Sequence, residues 1–333
     1  MTTDMDHPAP RLPVVVGVDM GATKILAGLV DADNQVVFRS KGKTGGERTP
    51  KDVLGRILAV VQACLNEALA RSLSVAGVGV GLPGPLDSDA GIVLEAPNLS
   101  GWRNVPVKAE LEGVLGLSVH IENDANLGTL AEARLGAARG LPNVVGVFVG
   151  SGIGGGLVIN GDLYRGSHNI AGEVGHMLIR KGGKKSGAGI PGALEANAGR
   201  IAIESKIKKR IRAGQKSYLE EAVKKRRITS GLLREAILVN DPVVTPVMES
   251  AINHLARGLA NLINILDPDV IVLGGGVVEA LGDWMLPRLV KKVGPLTVGR
   301  NKKDAPIVPA QLGDDAILLG AALWARQRLE RAT

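Results

Sequence analysis

The chain has 333 residues, 45% of them hydrophobic, which is enough apolar material for two domains. Aromatic residues are only 2%, so the core must be Val, Leu, Ile and Ala, and base-stacking platforms for single-stranded nucleic acid are disfavoured. A single cysteine, Cys64, excludes an intrachain disulfide and a thiolate zinc cluster, while the net charge of +7 raises the question of where the excess sits.

Residues 1–13 are polar and carry proline, with no apolar signal core, and read as a short disordered lead-in. No uninterrupted apolar run reaches the roughly 18 residues of a membrane span. Cytoplasmic location is the default expectation.

The first informative stretch is Val14 to Gly28, VVVGVDMGATKILAG. An apolar run ends in the carboxylate Asp19, a turn with Gly21, Thr23 and Lys24 follows, and the chain turns apolar again. That is strand, tight turn, strand. The turn offers N–H groups, a hydroxyl and an ammonium to an anion, and Asp19 could hold a hydrated cation. A β-hairpin with an Asp at its tip fits the same residues.

Val53 to Leu69 places Leu54, Ile57, Leu58, Val61, Leu65 and Leu69 at helical spacing, with Cys64 inside the pattern as a buried, inert thiol. Val75 to Leu82 reads as a strand closed by the turn Pro83 to Pro85. Residues 96–106 read as a loop, followed by a helix near Val107 and a strand over Ser118 to Glu122. Asn123-Asp124-Ala125-Asn126 sits at that strand's carboxyl end, where active groups of α/β folds gather. A helix over Leu127 to Leu135 comes next.

Val144 to Arg165 repeats the opening pattern of strand, glycine turn, strand, polar turn and strand. The first copy turns at residues 31–34 and the second at Asn160-Gly161-Asp162, both suited to positive φ. Gly150, Gly152, Gly154, Gly155 and Gly156 leave no side chain to keep a phosphate off the backbone. Two related halves thus open with β-meanders, and two facing phosphate turns suggest a cleft holding a triphosphate.

A helix over Thr245 to Leu266 precedes the buried-strand run DVIVL and the turn Gly274-Gly275-Gly276. That turn could border a purine and ribose, or be an ordinary strand-to-helix turn. Residues 315–329 form a final amphipathic helix. The positive charge gathers at Lys206 to Arg210 and Lys224 to Arg227. The spacing favours a solvated helix face, with a track for polyanions as the alternative.

With these motifs in order, the chain resembles a sugar kinase of the ROK family from about Val14 to Arg326. The resemblance rests on VDMGATK (Val18 to Lys24), GLPGP (Gly81 to Pro85), APNLSGW (Ala96 to Trp102) and ENDAN (Glu122 to Asn126). Further along it rests on GSGIGGG (Gly150 to Gly156), AGEVGH (Ala171 to His176), ALEA (Ala193 to Ala196) and LGGG (Leu273 to Gly276). It implies an α/β protein of two ribonuclease-H-like, actin-like ATPase domains with a cleft between them. These would be 1–127 and 128–314, with the helix 315–333 packing back on the first.

The resemblance also implies ATP and Mg²⁺ with a hexose as acceptor, glucose foremost. Asp124 would be the general base, and Asn98, Asn123, Asp124, Glu173, His176 and Glu195 would bind the sugar. Asp19 would orient Mg²⁺ through water, and Gly21, Thr23, Lys24, Gly152, Gly154, Gly274 and Gly275 would line the nucleotide. A homodimer or homotetramer is expected, with no nucleic-acid or membrane partner.

One segment departs from the family pattern. Many members bind zinc with Cys-x-Cys-Gly-x-x-Gly-Cys-x-Glu, but Ser186 to Glu195 reads SGAGIPGALE. Ser186, Ala188 and Ala193 occupy the cysteine places, and a hydroxyl with two methyls cannot replace three thiolates. No structural zinc is expected, although His176, the fourth ligand position, is kept. Alternatives are a kinase of another hexose or N-acetylhexosamine, a polyphosphate-using glucokinase, or a sugar-sensing regulator. The regulator would need an N-terminal DNA-binding domain ahead of Val14.

Overall fold

The computed structural model describes residues 13–331 apart from 47, 97, 98, 100, 226, 227 and 299–305. The chain divides into two compact units, the residues up to Leu127 together with those from Ile317 onward, and Gly128–Ala316. Each unit is built on a five-stranded sheet of the same order.

In the first unit β1 (Val14–Met20), β2 (Lys24–Val30) and β3 (Val36–Lys43) form the antiparallel meander. Helix α1 (Pro50–Ala70) crosses to β4 (Val75–Leu82), which pairs parallel to β1. Strands β5 (Leu86–Asp87), β6 (Ile92–Glu95) and β7 (Arg103–Val105) make a small separate sheet. Helix α2 (Val107–Leu115) then leads to β8 (Val119–Asn123), parallel to β4, and to α3 (Asp124–Arg134).

Helix α1 starts where the sequence supplies a cap. The Thr49 hydroxyl accepts from the Asp52 N–H at 3.3 Å, and Pro50 needs no donor partner in the first turn. Its stripe Val53, Leu54, Ile57, Val60, Val61, Cys64 and Ala68 is buried. The helix is long and apolar enough to pass for a membrane span, yet this stripe and its charged opposite face mark a core helix. The expected apolar face was rotated, since Leu69 is 79% exposed and Leu58 and Leu65 are only half-buried. Burial drives the Cys64 thiol up to about 12, which keeps it neutral and unreactive.

Two further expectations are corrected. The segment 96–106 is not all loop, because residues 103–105 pair with β6 as β7. Helix α3 begins at Asp124, three residues before the expected start.

The second unit repeats the plan with β9 (Val144–Val149), β10 (Ile153–Ile159) and β11 (Asp162–Leu163) as its meander. Helices α4 (Glu195–Ala198), α5 (Arg200–Arg212), α6 (Glu220–Lys224), α7 (Ser230–Leu238) and α8 (Val244–Leu266) follow. Strand β12 (Val270–Gly274) pairs parallel to β9, α9 (Gly276–Val293) follows it, and β13 (Ile307–Pro309) completes the sheet. Helix α8 is anchored at its start by Asp241, whose Oδ1 accepts from the N–H groups of Val243 and Val244 at 2.8 and 2.7 Å. Val247, Ala251, Leu255, Leu259 and Leu262 form its buried stripe.

Glu132 of α3 is wholly buried and acts as an acceptor for separated segments of this unit. Its Oε2 accepts from the Ala137 N–H at 2.8 Å, and its Oε1 accepts from those of Gln311 and Leu312 at 2.9 and 2.8 Å.

The last helix, α10 (Ala316–Glu330), closes the first unit. It lies so near the sheet that a Cβ on Gly17 would stand 2.1 Å from the Leu318 carbonyl oxygen, and one on Gly79 1.9 Å from that of Ala321. No side chain fits there, so these strand positions must be glycine. The Trp324 indole donates to the Ile121 carbonyl at 3.3 Å, and Arg326 donates to Val30 and Asn34.

Candidate active site

In the first unit Asp19 stands at the carboxyl end of β1 and is 6% exposed. The turn after it is clamped by Thr44, which donates from Oγ1 to the Gly21 carbonyl at 2.7 Å and from its N–H to the Thr23 carbonyl at 3.1 Å. Thr23 is exposed and Lys24 half-buried at the start of β2. The turn is therefore rigid at its base and open at its tip.

At the end of β8 the segment 122–126 is knitted by its own side chains. Glu122 is 2% exposed, and its Oε1 accepts from the Asn123 N–H at 2.8 Å and from the Asn126 amide at 3.0 Å. The Asn123 Oδ1 accepts from the N–H groups of Ala125 and Asn126 at 2.9 and 3.2 Å, and its amide donates to the Gly84 carbonyl at 3.3 Å. Asn123 is thus the residue that starts α3. Asp124 occupies the first turn, half-exposed, with Oδ1 on the Ala125 N–H at 2.8 Å. Asn98 lies outside the described residues.

In the second unit Glu173, His176 and Glu195 come together. His176 Nε2 is 3.6 Å from Glu173 Oε2. The Glu173 side chain keeps 44% of its surface open, yet loss of water raises its carboxyl above the ordinary range. Glu195 raises it further, and His176 opposes the shift.

Glu195 itself spans two loops. Its Oε2 accepts from the Ile153 N–H at 3.1 Å and its Oε1 from the Gly187 N–H at 3.1 Å. A Cβ on Gly152 would fall 1.8 Å from that Oε2, so the carboxylate reaches the glycine turn only because residue 152 has no side chain. The same turn rests on the start of α5, where the Arg200 and Ile201 N–H groups donate to the Gly150 and Ser151 carbonyls at 3.0 and 3.1 Å. Gly154 follows on β10, half-buried.

Gly274 ends β12, and Gly275, at φ +87°, turns the chain into α9. Beside them is a pocket of about 260 Å³ whose lining includes Gly274, Arg234, Glu279 and Asp283. The sequence reading missed the last three. Glu279 and Asp283 are four residues apart on the helix that follows the glycines, a spacing that puts both on one face.

The segment at the expected zinc position does not suit that ion. The Ser186 hydroxyl accepts from the Ile190 N–H at 3.3 Å, and Ala188 and Ala193 offer methyls. Among the described residues no cluster of three His, Cys, Asp or Glu could hold a metal. The Nδ1 of His176 is buried with no hydrogen-bond partner among them. The loop is closed by backbone bonds instead, Gly189 N–H to Ser186 at 2.9 Å and Ser186 N–H to Ile190 at 2.9 Å, and by Glu195. We expect purified protein to hold less than one zinc per chain by atomic emission, and EDTA to leave its melting temperature unchanged. Stoichiometric zinc would show that other residues complete a site with His176.

The ROK family model matches residues 15–328. The chain is 32% identical over 325 residues to a glucokinase of Thermotoga maritima, covering 96% of this chain and 99% of that protein. It is 27% identical over 306 residues to a xylose repressor of Caldicellulosiruptor bescii, covering 92% of this chain and 76% of the repressor. Among solved structures, a ROK family glucokinase from Streptomyces griseus in complex with glucose and AMPPNP superposes with a TM-score of 0.80 at 32% identity, over 94% of this chain and 99% of that one.

Proposed function

Because the chain belongs to the ROK family of the actin-like ATPase fold, we propose that it is an ATP-dependent sugar kinase. Its acceptor is a hexose, glucose first, and its product the hexose 6-phosphate. The observation that carries this reading is the 32% identity to a glucokinase over 99% of that enzyme's length.

Phosphoryl transfer passes through a loose transition state, so position and charge matter more than covalent help. In this reading the sugar hydroxyl attacks the γ-phosphorus as Asp124 takes its proton. The new O–P bond forms while the bond to the β-phosphate oxygen breaks, and ADP leaves. Asn123 supports this role by capping α3, which leaves Asp124 with one local bond, Oδ1 to the Ala125 N–H. Glu173, His176 and Glu195 read sugar hydroxyls, and a partly desolvated carboxylate such as Glu173 accepts more strongly than a solvated one. The turn at Gly21–Lys24 receives phosphates on its backbone N–H groups, and the turn at Gly152–Gly154 does so with those other than the Ile153 N–H, which Glu195 holds. The pocket beside Gly274 and Gly275 takes the adenosine. When bound, Mg²⁺ supplies neutralisation of phosphate charge, and Asp19 is the single carboxylate that would orient it through water, as suits an ion whose other ligands are phosphate and water.

The test is coupled ADP release over a panel of hexoses and N-acetylhexosamines, with ATP and with polyphosphate as donors. Glucose with ATP is expected to give the highest kcat/KM. Turnover of another sugar alone would move the acceptor, and turnover with polyphosphate alone would move the donor. Sugar binding without turnover on any pair would favour a sugar-sensing regulator.

A further inference from the structure

Residues 180–216 carry eleven Lys and Arg against two Glu, in a chain whose total charge is +7. The remainder of the molecule is therefore net negative, and the positive excess belongs to this stretch. It includes the segment 180–185, one arm of a hairpin-like loop closed by the Leu178–Ala193 and Lys185–Pro191 bridges, and helix α5. Between them runs a groove of about 560 Å³ lined by Lys184, Glu204, Ser205, Lys208, Lys209 and Arg212. Lys184 Nζ donates across it to Ser205 Oγ at 2.7 Å.

A solvated helix face would scatter its cations or pair them along the helix. Here Glu204 takes Lys208 at 2.6 Å and Arg200 at 3.8 Å. Among the described residues Arg180, Lys184, Lys206, Lys209, Arg210 and Arg212 have no ion pair. The cations also face one another. Burial together with Arg180, Lys184 and Arg210 pulls the Lys206 ammonium below its usual range. Burial and then Lys206, Arg257 and Arg180 hold His254 of the adjoining α8 down at about 4. The dipole at the end of α5 accounts for basic residues in its last turn, but not for Arg180, Lys184 and Lys185 on a separate segment. Like charges held together in this way cost stability that a bound anion would return.

We propose that the groove between the 180–185 segment and α5 binds an anion with several adjacent phosphoryl groups. Four cationic side chains along one groove, Lys184, Lys208, Lys209 and Arg212, match a chain of linked phosphates better than a lone carboxylate. No aromatic side chain lines it, which disfavours a stacked nucleic acid. This site stands apart from the phosphoryl-transfer reading and does not depend on it. Its occupant would tie the segment to α5. The segment continues through the Lys185–Pro191 bridge into the loop that Gly187 fastens to Glu195, so occupancy would stiffen that loop.

The test titrates the full chain with tripolyphosphate by calorimetry in 150 mM NaCl without Mg²⁺, with fructose 1,6-bisphosphate as a second titrant. Whichever binds more tightly tells a linear oligophosphate from a phosphate ester. The variant Lys184→Ala/Lys209→Ala/Arg212→Ala is expected to weaken binding at least tenfold. A control that removes three exposed cations elsewhere, Lys51→Ala/Arg139→Ala/Lys291→Ala, should change it less than twofold. Amide exchange over 184–192 should slow when tripolyphosphate is bound. Absence of binding, equal weakening by both variants, or unchanged exchange in that loop would overturn the proposal.

Discussion

Asp124→Asn is expected to lower kcat by about 10² to 10⁴, the usual cost of losing a general base, with sugar affinity largely kept. The change is nearly isosteric, an amide oxygen at 124 can keep the bond from the Ala125 N–H, and Asn123 holds the same N–H and that of Asn126. Unfolding should therefore be little altered, so loss of rate reports chemistry. Stopped-flow or coupled assays would measure kcat, and glucose binding by calorimetry would give the affinity. A variant with near-normal kcat would remove Asp124 from the mechanism.

Glu132→Ala should have the largest effect on stability. It strips the acceptor from three N–H groups, those of Ala137, Gln311 and Leu312. Each buried donor left without a partner costs about 1–3 kcal/mol, so the loss for three is about 3–9 kcal/mol. Trp284 is the tryptophan of the second unit, and its fluorescence in a urea titration should show a midpoint well below that of the parent chain. A midpoint within error of the parent would mean that water takes over the carboxylate's bonds.

Much of this fold is legible in the sequence because its elements are long and periodic. The stripe in α1 and the strand-turn-strand pattern of both meanders follow from spacing alone. The rotation of the α1 face does not, since Leu58, Leu65 and Leu69 are as apolar as the residues the sheet chose to bury. The sheet of β5, β6 and β7 was missed because strands of two to four residues have no readable alternation. The early start of α3 comes from a side-chain cap at Asn123, which competes with reading the same residue as a ligand.

The site divides in the same way. Asp19, Asp124, Glu173 and His176 stand out as polar residues beside glycines or at strand ends. The bridging by Glu195 does not, because its two partners lie 42 residues upstream at Ile153 and eight at Gly187, and only the folded chain brings them near. Arg234 reaches the pocket by Gly274 from a helix whose sequence carries no motif.

The seating of α10 on Gly17 and Gly79 bears on how the chain is made. Domains ordinarily fold in the order in which the ribosome delivers them. Here the first unit is complete only when Ile317 and the residues after it have emerged, since they cover the faces of β1 and β4. Throughout synthesis of the second unit the nascent chain must carry a half-covered apolar sheet. A product that ends before Ile317 would keep that face of β1 and β4 open to water, so the last residues made are the ones that finish the first unit.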